Sequence, residues 1–300
     1  MRGRLTAAAL ALGLTFCSIR DIEYLRDPSC APNCGDAGIA PEAGVEAGVD
    51  ARPPEDAAEA SILDTGPPPC ATDAGYRALV MCDGPIAYFR LDDQGPPEAM
   101  DEVDGAIAGA YVTASDGGIT YGVGGAIAGD PDTAIHLDGN AFVGGGTALA
   151  FPNNAPYSLE AWVSPEGDNF SYRRIVERLA YDGNGMPHDG YIVYNQATVA
   201  SERWVDGGVA TAAGPQLGNG AYSHVVTTYD GSMLRIYANG ALAASADAPT
   251  PAGDASGTFY VGGSLGPGSG WIGAIDEVAI YDYALGQEQV TAHYRAGRGL

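Results

Sequence analysis

Residues 222–240 read Tyr-Ser-His-Val-Val-Thr-Thr-Tyr-Asp-Gly-Ser-Met-Leu-Arg-Ile-Tyr-Ala-Asn-Gly, and this stretch decides the fold class. Its two halves, 224–229 and 233–238, are rich in the β-branched and aromatic residues that favour strands. Asp230-Gly231 lies between them, and this dipeptide favours a tight hairpin turn. Asn239-Gly240 ends the second half in the same way. The stretch therefore predicts an antiparallel hairpin followed by a further turn.

Similar short runs, separated by Gly, Asp, Asn and Pro, continue on both sides of this hairpin. The predicted strands are Ile86–Leu91, Ala134–Leu137, Ala141–Val143, Ser158–Val163, Arg174–Glu177, Tyr191–Tyr194, Ser201–Val205, Phe259–Val261 and Gly273–Tyr281. Helices are expected only at 76–82 and, after the last strand, at 287–296. Many short strands and one late helix predict an all-β, two-sheet antiparallel sandwich with a short C-terminal helix.

Several of these runs resemble a known family. The blocks Tyr157–Val163, 222–240 and Ile272–Leu285 resemble the laminin-G-like (LamG) bacterial branch of the concanavalin A-like lectin/glucanase superfamily. Gly84–Asp92 and His136–Gly139 are also similar to that family. The resemblance implies a jelly roll, which we place at residues 71–300. Members of the superfamily bind sugars, proteins or nothing known, so the resemblance implies a fold and leaves the ligand open.

The N-terminus is typical of an export signal. Arg2 and Arg4 precede an uncharged, mostly apolar stretch, Leu5–Phe16, which is too short to span a bilayer. Cys17 follows in an arrangement that resembles a bacterial lipobox, although Phe16 stands where a small residue is usual. Residues 1–17 are therefore predicted to be a signal peptide with Cys17 as the lipidated residue. We expect an outer-membrane or cell-surface lipoprotein, with ordinary secretion as the alternative.

Residues 18–70 are predicted to form a disordered linker. The acidic Ala/Gly/Pro-rich composition cannot bury enough apolar surface to offset the loss of conformational entropy. Apart from Cys17, the chain has an even four cysteines, which suits disulfides in an oxidising compartment. Proximity in sequence favours the pairs Cys30–Cys34 and Cys70–Cys82, while three connectivities are open.

The charge of the chain excludes some partners. A net charge of −24 and a pI near 4.1 argue against nucleic acid and anionic membranes, because both attract basic patches. Contact with a membrane is expected only through the N-terminal lipid anchor. The acidity suits solubility outside the cell, and it is also compatible with binding of divalent cations.

Catalysis is not predicted. Retaining glucanases of the resembled superfamily carry carboxylates at alternate positions of one strand, as in Glu-x-Asp-x-x-Glu. Glu160 has no acidic neighbour two or four positions further on, and Asp276-Glu277 is followed by an acid only at Asp282, beyond the strand. We therefore expect that the chain is not an enzyme.

One structural Ca²⁺ is implied by the resemblance, because such jelly rolls often use a cation to join the first strand to the last. Asp276 is the implied ligand in the last strand, and Asp92, or its neighbour Asp93, is the implied partner at the end of the first. A cation would neutralise carboxylates that otherwise repel one another. The alternative is that Asp276 only accepts hydrogen bonds from a neighbouring loop.

A sugar site needs an aromatic platform and planar polar groups, because a pyranose has an apolar face ringed by hydroxyls. The candidates are Tyr172, Tyr191, Tyr194, Trp204 and Trp271, with Trp271 equally compatible with a core position. Strand alternation places Tyr191 and Tyr194 on opposite faces, so at most one of the two is expected on the concave surface. We expect a surface-tethered recognition module that binds a glycan or an extracellular protein through loops or the concave face. A structural, self-associating envelope protein is the alternative, and a glycoside hydrolase is disfavoured.

Overall fold

The computed structural model describes residues 75–300, apart from 96, 104–106, 114–117, 168–170, 254–255 and 265–268. The predicted signal peptide, the linker, Cys17, Cys30, Cys34 and Cys70 lie outside the described residues. Cys82 is disulfide-bonded, but the predicted pairings involve residues outside this range and stay predictions. Within the described range, the helices lack the length and apolar composition needed to cross a bilayer.

The described elements follow one another in a mostly β order. They are α1 (Tyr76–Cys82), β1 (Ala87–Phe89), β2 (Glu98–Ala99), β3 (Gly109–Thr113), β4 (Ile119–Gly124), β5 (Thr133–Asp138), β6 (Ala141–Gly144), β7 (Tyr157–Pro165), β8 (Arg173–Tyr181), β9 (Pro187–Gln196), β10 (Thr198–Val205), β11 (Gly208–Ala213), β12 (Ser223–Tyr229), β13 (Met233–Ala238), β14 (Ala241–Asp247), β15 (Thr258–Val261), β16 (Ile272–Tyr281) and α2 (Gln287–Gly297).

The strands form two antiparallel sheets, which confirms the predicted sandwich. The first sheet has the order β14-β13-β12-β7-β16-β5-β4, with β1 paired to β16. The second sheet has the order β11-β10-β9-β8-β15-β6-β3-β2. The hairpin predicted from residues 222–240 is β12-β13, and Asn239-Gly240 forms the turn into β14.

The main hydrophobic core lies between the two sheets and includes Phe89, Ile135, Val163, Phe259 and Ile275. A second buried cluster covers the outer face of the first sheet, where side chains of α1 and α2 pack on strand residues. Both described helices belong to this second cluster, so neither of them covers the outer face of the second sheet. Among the described residues, that face is therefore not covered by a helix.

Five strands were not predicted from the sequence: β2, β3, β4, β11 and β14. Their residues are mostly Ala, Gly and small polar side chains, and β14 exposes or half-exposes every one of its residues. Runs such as β11 and β14 give little hydrophobic alternation, so local patterning does not mark them as strands. β4 is the exception, because Ile119, Tyr121 and Val123 alternate with small residues. Pairing with a stronger neighbour, as β14 pairs with β13, fixes them in the sheet.

Gly297 lies where α2 meets the first sheet, and its lack of a side chain permits that contact. A Cβ at this position would lie 2.3 Å from Cζ2 of Trp162, which is fully buried. Gly297→Ala should raise helix propensity yet lower stability, because the added methyl overpacks against a rigid ring at a cost of about 1–3 kcal/mol. Thermal unfolding would measure this as a fall in Tm. Gly183→Ala is the matched control, since a Cβ there meets nothing within 4 Å; an equal or higher Tm for Gly297→Ala would contradict the packing argument.

Candidate functional site

The outer face of the second sheet carries a band of half-buried aromatic and charged side chains. Strand alternation places Tyr194 of β9 and Glu202 and Trp204 of β10 on this face, while Tyr191 and Arg203 point into the sandwich. Arg174 of β8 pairs opposite Tyr194, and Tyr172 directly precedes β8. We call Tyr172, Arg174, Tyr194, Glu202 and Trp204 the aromatic band.

A single carboxylate fixes two rings of the aromatic band. The Tyr194 hydroxyl donates to Oε1 of Glu202 at 2.8 Å, and the Trp204 indole N–H donates to Oε2 of Glu202 at 2.9 Å. The Tyr172 ring stacks on Tyr194 with centroids 4.3 Å apart. These contacts hold the rings in place before any ligand arrives, so less side-chain entropy is lost on binding.

Arg174 joins the aromatic band to a buried acid. Its Nε lies 2.7 Å from Oε2 of Glu177, and its Cζ lies 5.6 Å from the centroid of the Tyr172 ring. Nη1 of Arg174 also donates to Oγ of Ser264 at 2.9 Å. Burial raises the pKa of Glu177 to about 7, although the neighbouring Arg174 charge opposes that rise. The guanidinium is thus held at the surface by an acid beneath it.

A groove of about 420 Å³ shares one lining residue, Arg174, with the aromatic band. Its walls come from β8, β15 and the segments that flank β15. The lining residues are Arg174, Leu179, Ala180, Tyr181, Ser256, Gly257, Thr258, Tyr260 and Ser264. The volume lies within the range that binds small organic ligands, about 300–1,000 Å³.

The structure brings together some of the sequence candidates and separates the others. Tyr172, Tyr194 and Trp204 lie on the same outer face. Tyr191 and Trp271 are only 3% and 0% exposed and belong to the core between the sheets. The prediction that these two residues contact a surface ligand therefore needs correction, because alternation turns Tyr191 inward and Trp271 packs beneath the sheet surface.

Three functional candidates on this face were not predicted from the sequence: Arg174, Glu177 and Glu202. Glu202 stands two residues before Trp204 in a predicted strand, so period-two alternation could have placed the two side chains together. Arg174 and Glu177 gave no such signal, because a bulge in β8 between Arg174 and Val176 resets the alternation.

A second candidate site is a buried acidic cluster formed by Asp132, Asp276 and Glu277. Ligand atoms of the three carboxylates all lie within 4.8 Å of one another. Asp276 and Glu277 are consecutive yet converge, because β16 bulges between Asp276 and Ala279 and Glu277 has a positive φ of 52°. Asp132 precedes β5, the neighbour of β16 in the first sheet.

Among the described residues, one basic side chain, Arg90, contacts the acidic cluster. Its Nη2 lies 2.6 Å from Oδ2 of Asp132 and 3.3 Å from Oε1 of Glu277. Burial raises the pKa of Asp276 to about 8, assisted by the charge of Asp132. Burial and the charge of Asp276 raise the pKa of Glu277 to about 9. The single positive charge of Arg90 cannot balance three negative charges when all three carboxylates are ionised.

The donor set of the acidic cluster fits a hard divalent cation. Oδ2 of Asp276 accepts the Ala126 N–H at 2.7 Å, whereas its Oδ1 is buried without a hydrogen-bond partner among the described residues. Carboxylate oxygens are the ligands that Ca²⁺ prefers. Asp276 was predicted as a ligand, but Asp92, its predicted partner, is not a member of the cluster. Asp92 acts at longer range: burial raises the pKa of Asp132, and the charge of Asp92 adds to that rise.

Comparisons with known proteins agree with this architecture. A search of curated proteins finds no match. Among solved structures, one similar protein is domain 4 of AbnA, a GH43 extracellular arabinanase from Geobacillus stearothermophilus, in complex with arabinotriose. The TM-score is 0.50 and the identity 20%, over 69% of this chain and 97% of that domain. The binding domain of botulinum neurotoxin serotype D is similar at a TM-score of 0.52 and 11% identity, over 71% of this chain and 51% of that one.

A sialidase from Trypanosoma rangeli is similar at a TM-score of 0.50 and 12% identity, over 70% of this chain. This chain spans only 33% of the sialidase, and about half of the neurotoxin domain. These low identities show a shared fold alone. A laminin-G family model matches residues 137–291. Because that match covers more than half of the 300-residue chain, the chain belongs to the concanavalin A-like lectin/glucanase superfamily.

Proposed function

We propose that the chain is a non-catalytic recognition module that binds carbohydrate on the outer face of the second sheet. The observation that carries the proposal is the aromatic band, with rings fixed by Glu202 and with Arg174 leading into the groove of about 420 Å³. The domain would be presented outside the cell, held by the predicted linker behind a lipid on Cys17.

The chemistry of the aromatic band matches that of a sugar. The apolar face of a pyranose or furanose packs on tyrosine and tryptophan rings, and its hydroxyls form hydrogen bonds with planar polar groups. Glu202 supplies acceptors and Arg174 supplies donors beside those rings. The arabinanase domain that shares this fold is in complex with arabinotriose, which supports the choice of carbohydrate as the first ligand class to test.

The carboxyls of this face support binding without hydrolysis. Glu177 has a pKa near neutrality, as a general acid would, but it is 1% exposed and paired with Arg174. Glu202 accepts hydrogen bonds from both Tyr194 and Trp204. A glycosidase needs two carboxyls that reach opposite sides of the scissile bond, and the existing contacts of Glu177 and Glu202 favour a role in binding instead.

We also propose one structural Ca²⁺, held by Asp132, Asp276 and Glu277. The cation would supply positive charge to three buried carboxylates that Arg90 alone leaves under-neutralised. Because Asp132 precedes β5 and the other two ligands belong to β16, binding would strengthen the middle of the first sheet.

Trp204→Ala is expected to weaken oligosaccharide binding by at least tenfold. Removing the indole deletes one stacking surface, worth about 1 kcal/mol or more beyond its buried area, and frees Glu202. Isothermal titration of the full chain with neutral and acidic oligosaccharides, chosen from a glycan array, would measure the loss. Tyr172→Ala should have a similar effect.

Leu242→Ala is the matched control for these truncations, because Leu242 is 49% exposed on β14, in the other sheet. Tyr194→Phe should retain most of the affinity, since it keeps the ring stacked on Tyr172 and removes only the hydroxyl. If no oligosaccharide binds, or if Trp204→Ala and Tyr172→Ala bind as tightly as the parent, this face is not the sugar site.

A further inference from the structure

A small cavity between the two sheets is not used by the proposed functions. Its walls combine two arginines with three aromatic rings and small residues. The lining residues are Phe151, Tyr157, Arg178, Gly190, Tyr191, Arg203, Ala252 and Gly253. The centre of a water molecule could occupy about 10 Å³ of this cavity. The cavity therefore has room for one water molecule or one monatomic ion. We call it the arginine cavity.

Strand register explains why two cations face the interior here. Arg178 of β8 and Arg203 of β10 are both paired opposite Tyr191 of β9. Cross-strand partners share a face of the sheet, so all three side chains point inward. Arg178 and Arg203 are only 3% and 4% exposed.

Neutral groups satisfy part of the hydrogen-bonding capacity of these arginines. Arg203 donates to the carbonyls of Thr250 and Asn153, both at 2.7 Å, and its Cζ lies 4.3 Å from the Tyr229 centroid. Arg178 donates to the carbonyls of Ala148 and Thr147 at 3.0 and 3.1 Å.

The carbonyls and the ring that contact Arg203 carry no formal charge, so they leave its positive charge to be balanced. Within the described residues, Arg203 forms no ion pair with a carboxylate. Charges inside a protein are normally paired, because burial of an isolated ion is strongly unfavourable.

Tyr157 gives an independent indication of a missing acceptor. It is 2% exposed and lines the arginine cavity, and its hydroxyl has no hydrogen-bond partner among the described residues. Its ring is held by Phe151 and Tyr191, with centroids 5.0 and 5.1 Å away. A buried donor without an acceptor destabilises a fold.

We propose that the arginine cavity binds one small monovalent anion, with chloride as its natural occupant. A halide would balance the charge on Arg203 and accept the Tyr157 O–H in the same position. The volume excludes sulfate, phosphate and organic carboxylates, so the site is selective by size. The bound anion would join β7 of the first sheet to β10 of the second.

The first test compares Tm of the full chain in chloride, bromide and gluconate at constant ionic strength. Binding to the folded state alone should raise Tm by about 3 °C in chloride or bromide relative to gluconate, which is too large to enter. A crystal grown in bromide should show an anomalous peak beside Arg203. A water molecule in the cavity at saturating bromide, with equal Tm in all three salts, would overturn the proposal.

Two variants separate specific binding from general salt effects. Arg203→Gln should abolish the halide response, and Tyr157→Phe should reduce it. In gluconate, Tyr157→Phe should be at least as stable as the parent, because it removes a hydroxyl that then has no acceptor. Arg235→Gln and Tyr260→Phe are the matched controls and should keep the full response. A halide response unchanged in Tyr157→Phe would count against the site even if Arg203→Gln fails to fold.

Discussion

Replacing Glu160 with Gln is expected to lower the free energy of unfolding by about 3–5 kcal/mol, the usual result of breaking a buried charge network from one side. Glu160 of β7 is 1% exposed and lies beneath both helices on the outer face of the first sheet. Urea or thermal unfolding would measure the loss, which is far larger than that of a typical surface substitution.

The contacts of Glu160 explain the size of this effect. Its Oε1 lies 2.7 Å from Nε2 of His224, and its Oε2 lies 3.0 Å from Nδ1 of His293. The hydroxyls of Tyr76 and Tyr281 donate to the same carboxylate at 2.9 and 3.1 Å. An amide at this position would present N–H groups to donors that need an acceptor, so several buried groups would lose their partner together.

His293 extends the network to the first helix. Its Nε2 lies 3.0 Å from Oδ2 of Asp83, which caps α1, so one imidazole of α2 contacts two carboxylates. Burial alone lowers the pKa of His293, but the charges of Glu160 and Asp83 outweigh burial and raise it to about 10. For Glu160, burial acts to raise the pKa, yet His293 and His224 hold it well below its usual range.

These shifts set a pH window for the prediction. The Glu160 contribution is present above its unfolded pKa, near 4.5, and is lost as pH falls towards its folded pKa. The His293 contribution is complete below its unfolded pKa, near 6.5, and is lost as pH rises through about 10. The difference in stability between the parent and Glu160→Gln should therefore be largest between about pH 4.5 and 6.5.

Glu166→Gln is the control for Glu160→Gln. Glu166 also contacts a histidine, His136, at 3.1 Å, but its side chain is 55% exposed. Exposed pairs contribute about 0–1 kcal/mol, so this variant should unfold almost as the parent does. Equal stability losses for the two variants would show that burial of the Glu160 network is not what stabilises the helices.

The sequence predicts the hairpins and central strands of this fold because their side chains alternate strongly. β12 and β13 combine β-branched and aromatic residues around Asp230-Gly231, so local chemistry is enough. β11 and β14 lack that signal, since their side chains are small and solvent-exposed. Those strands form because neighbouring strands already present a hydrogen-bonding edge, which a local pattern does not contain.

The candidate sites depend on register, which the sequence leaves open. Glu160 and His224 are separated by 64 residues and meet only because β12 pairs with β7. Asp276 was expected to act with Asp92 through a resemblance, whereas pairing of β5 with β16 and the β16 bulge bring Asp132 and Glu277 to it. Alternation within β10 was enough to place Glu202 beside Trp204, but the contact between Glu202 and Tyr194 required the β9-β10 pairing.

Calcium is expected to raise the Tm of metal-free protein by several degrees, and Asp276→Asn should remove that response. In the absence of the cation, three buried carboxylates share one guanidinium, and the charge of Asp92 lies nearby. A ligand at a hundred times its Kd stabilises the folded state by about 2.7 kcal/mol. Differential scanning calorimetry with calcium, and again with a chelator, would measure the shift.

The calcium response should grow with pH. The folded-state pKa values of Asp276 and Glu277, about 8 and 9, lie above their unfolded values near 4. The metal-free protein therefore loses stability as pH rises from about 4 towards 9. Over this range folding buries carboxylates whose negative charge water would solvate better. Calcium binds the ionised carboxylates and offsets this loss, so the two melting curves should coincide near pH 4 and separate above it.

Two variants decide whether the cation binds where the carboxylates converge. Asp132→Asn and Asp276→Asn each remove one charge without changing side-chain shape, and each should flatten the pH dependence of metal-free protein while abolishing the calcium shift. Asp247→Asn, an exposed position on β14, is the control and should retain the shift. If metal-free parent protein melts at the same temperature with calcium as with chelator at pH 8, Arg90 alone balances the cluster and the site is not a calcium site.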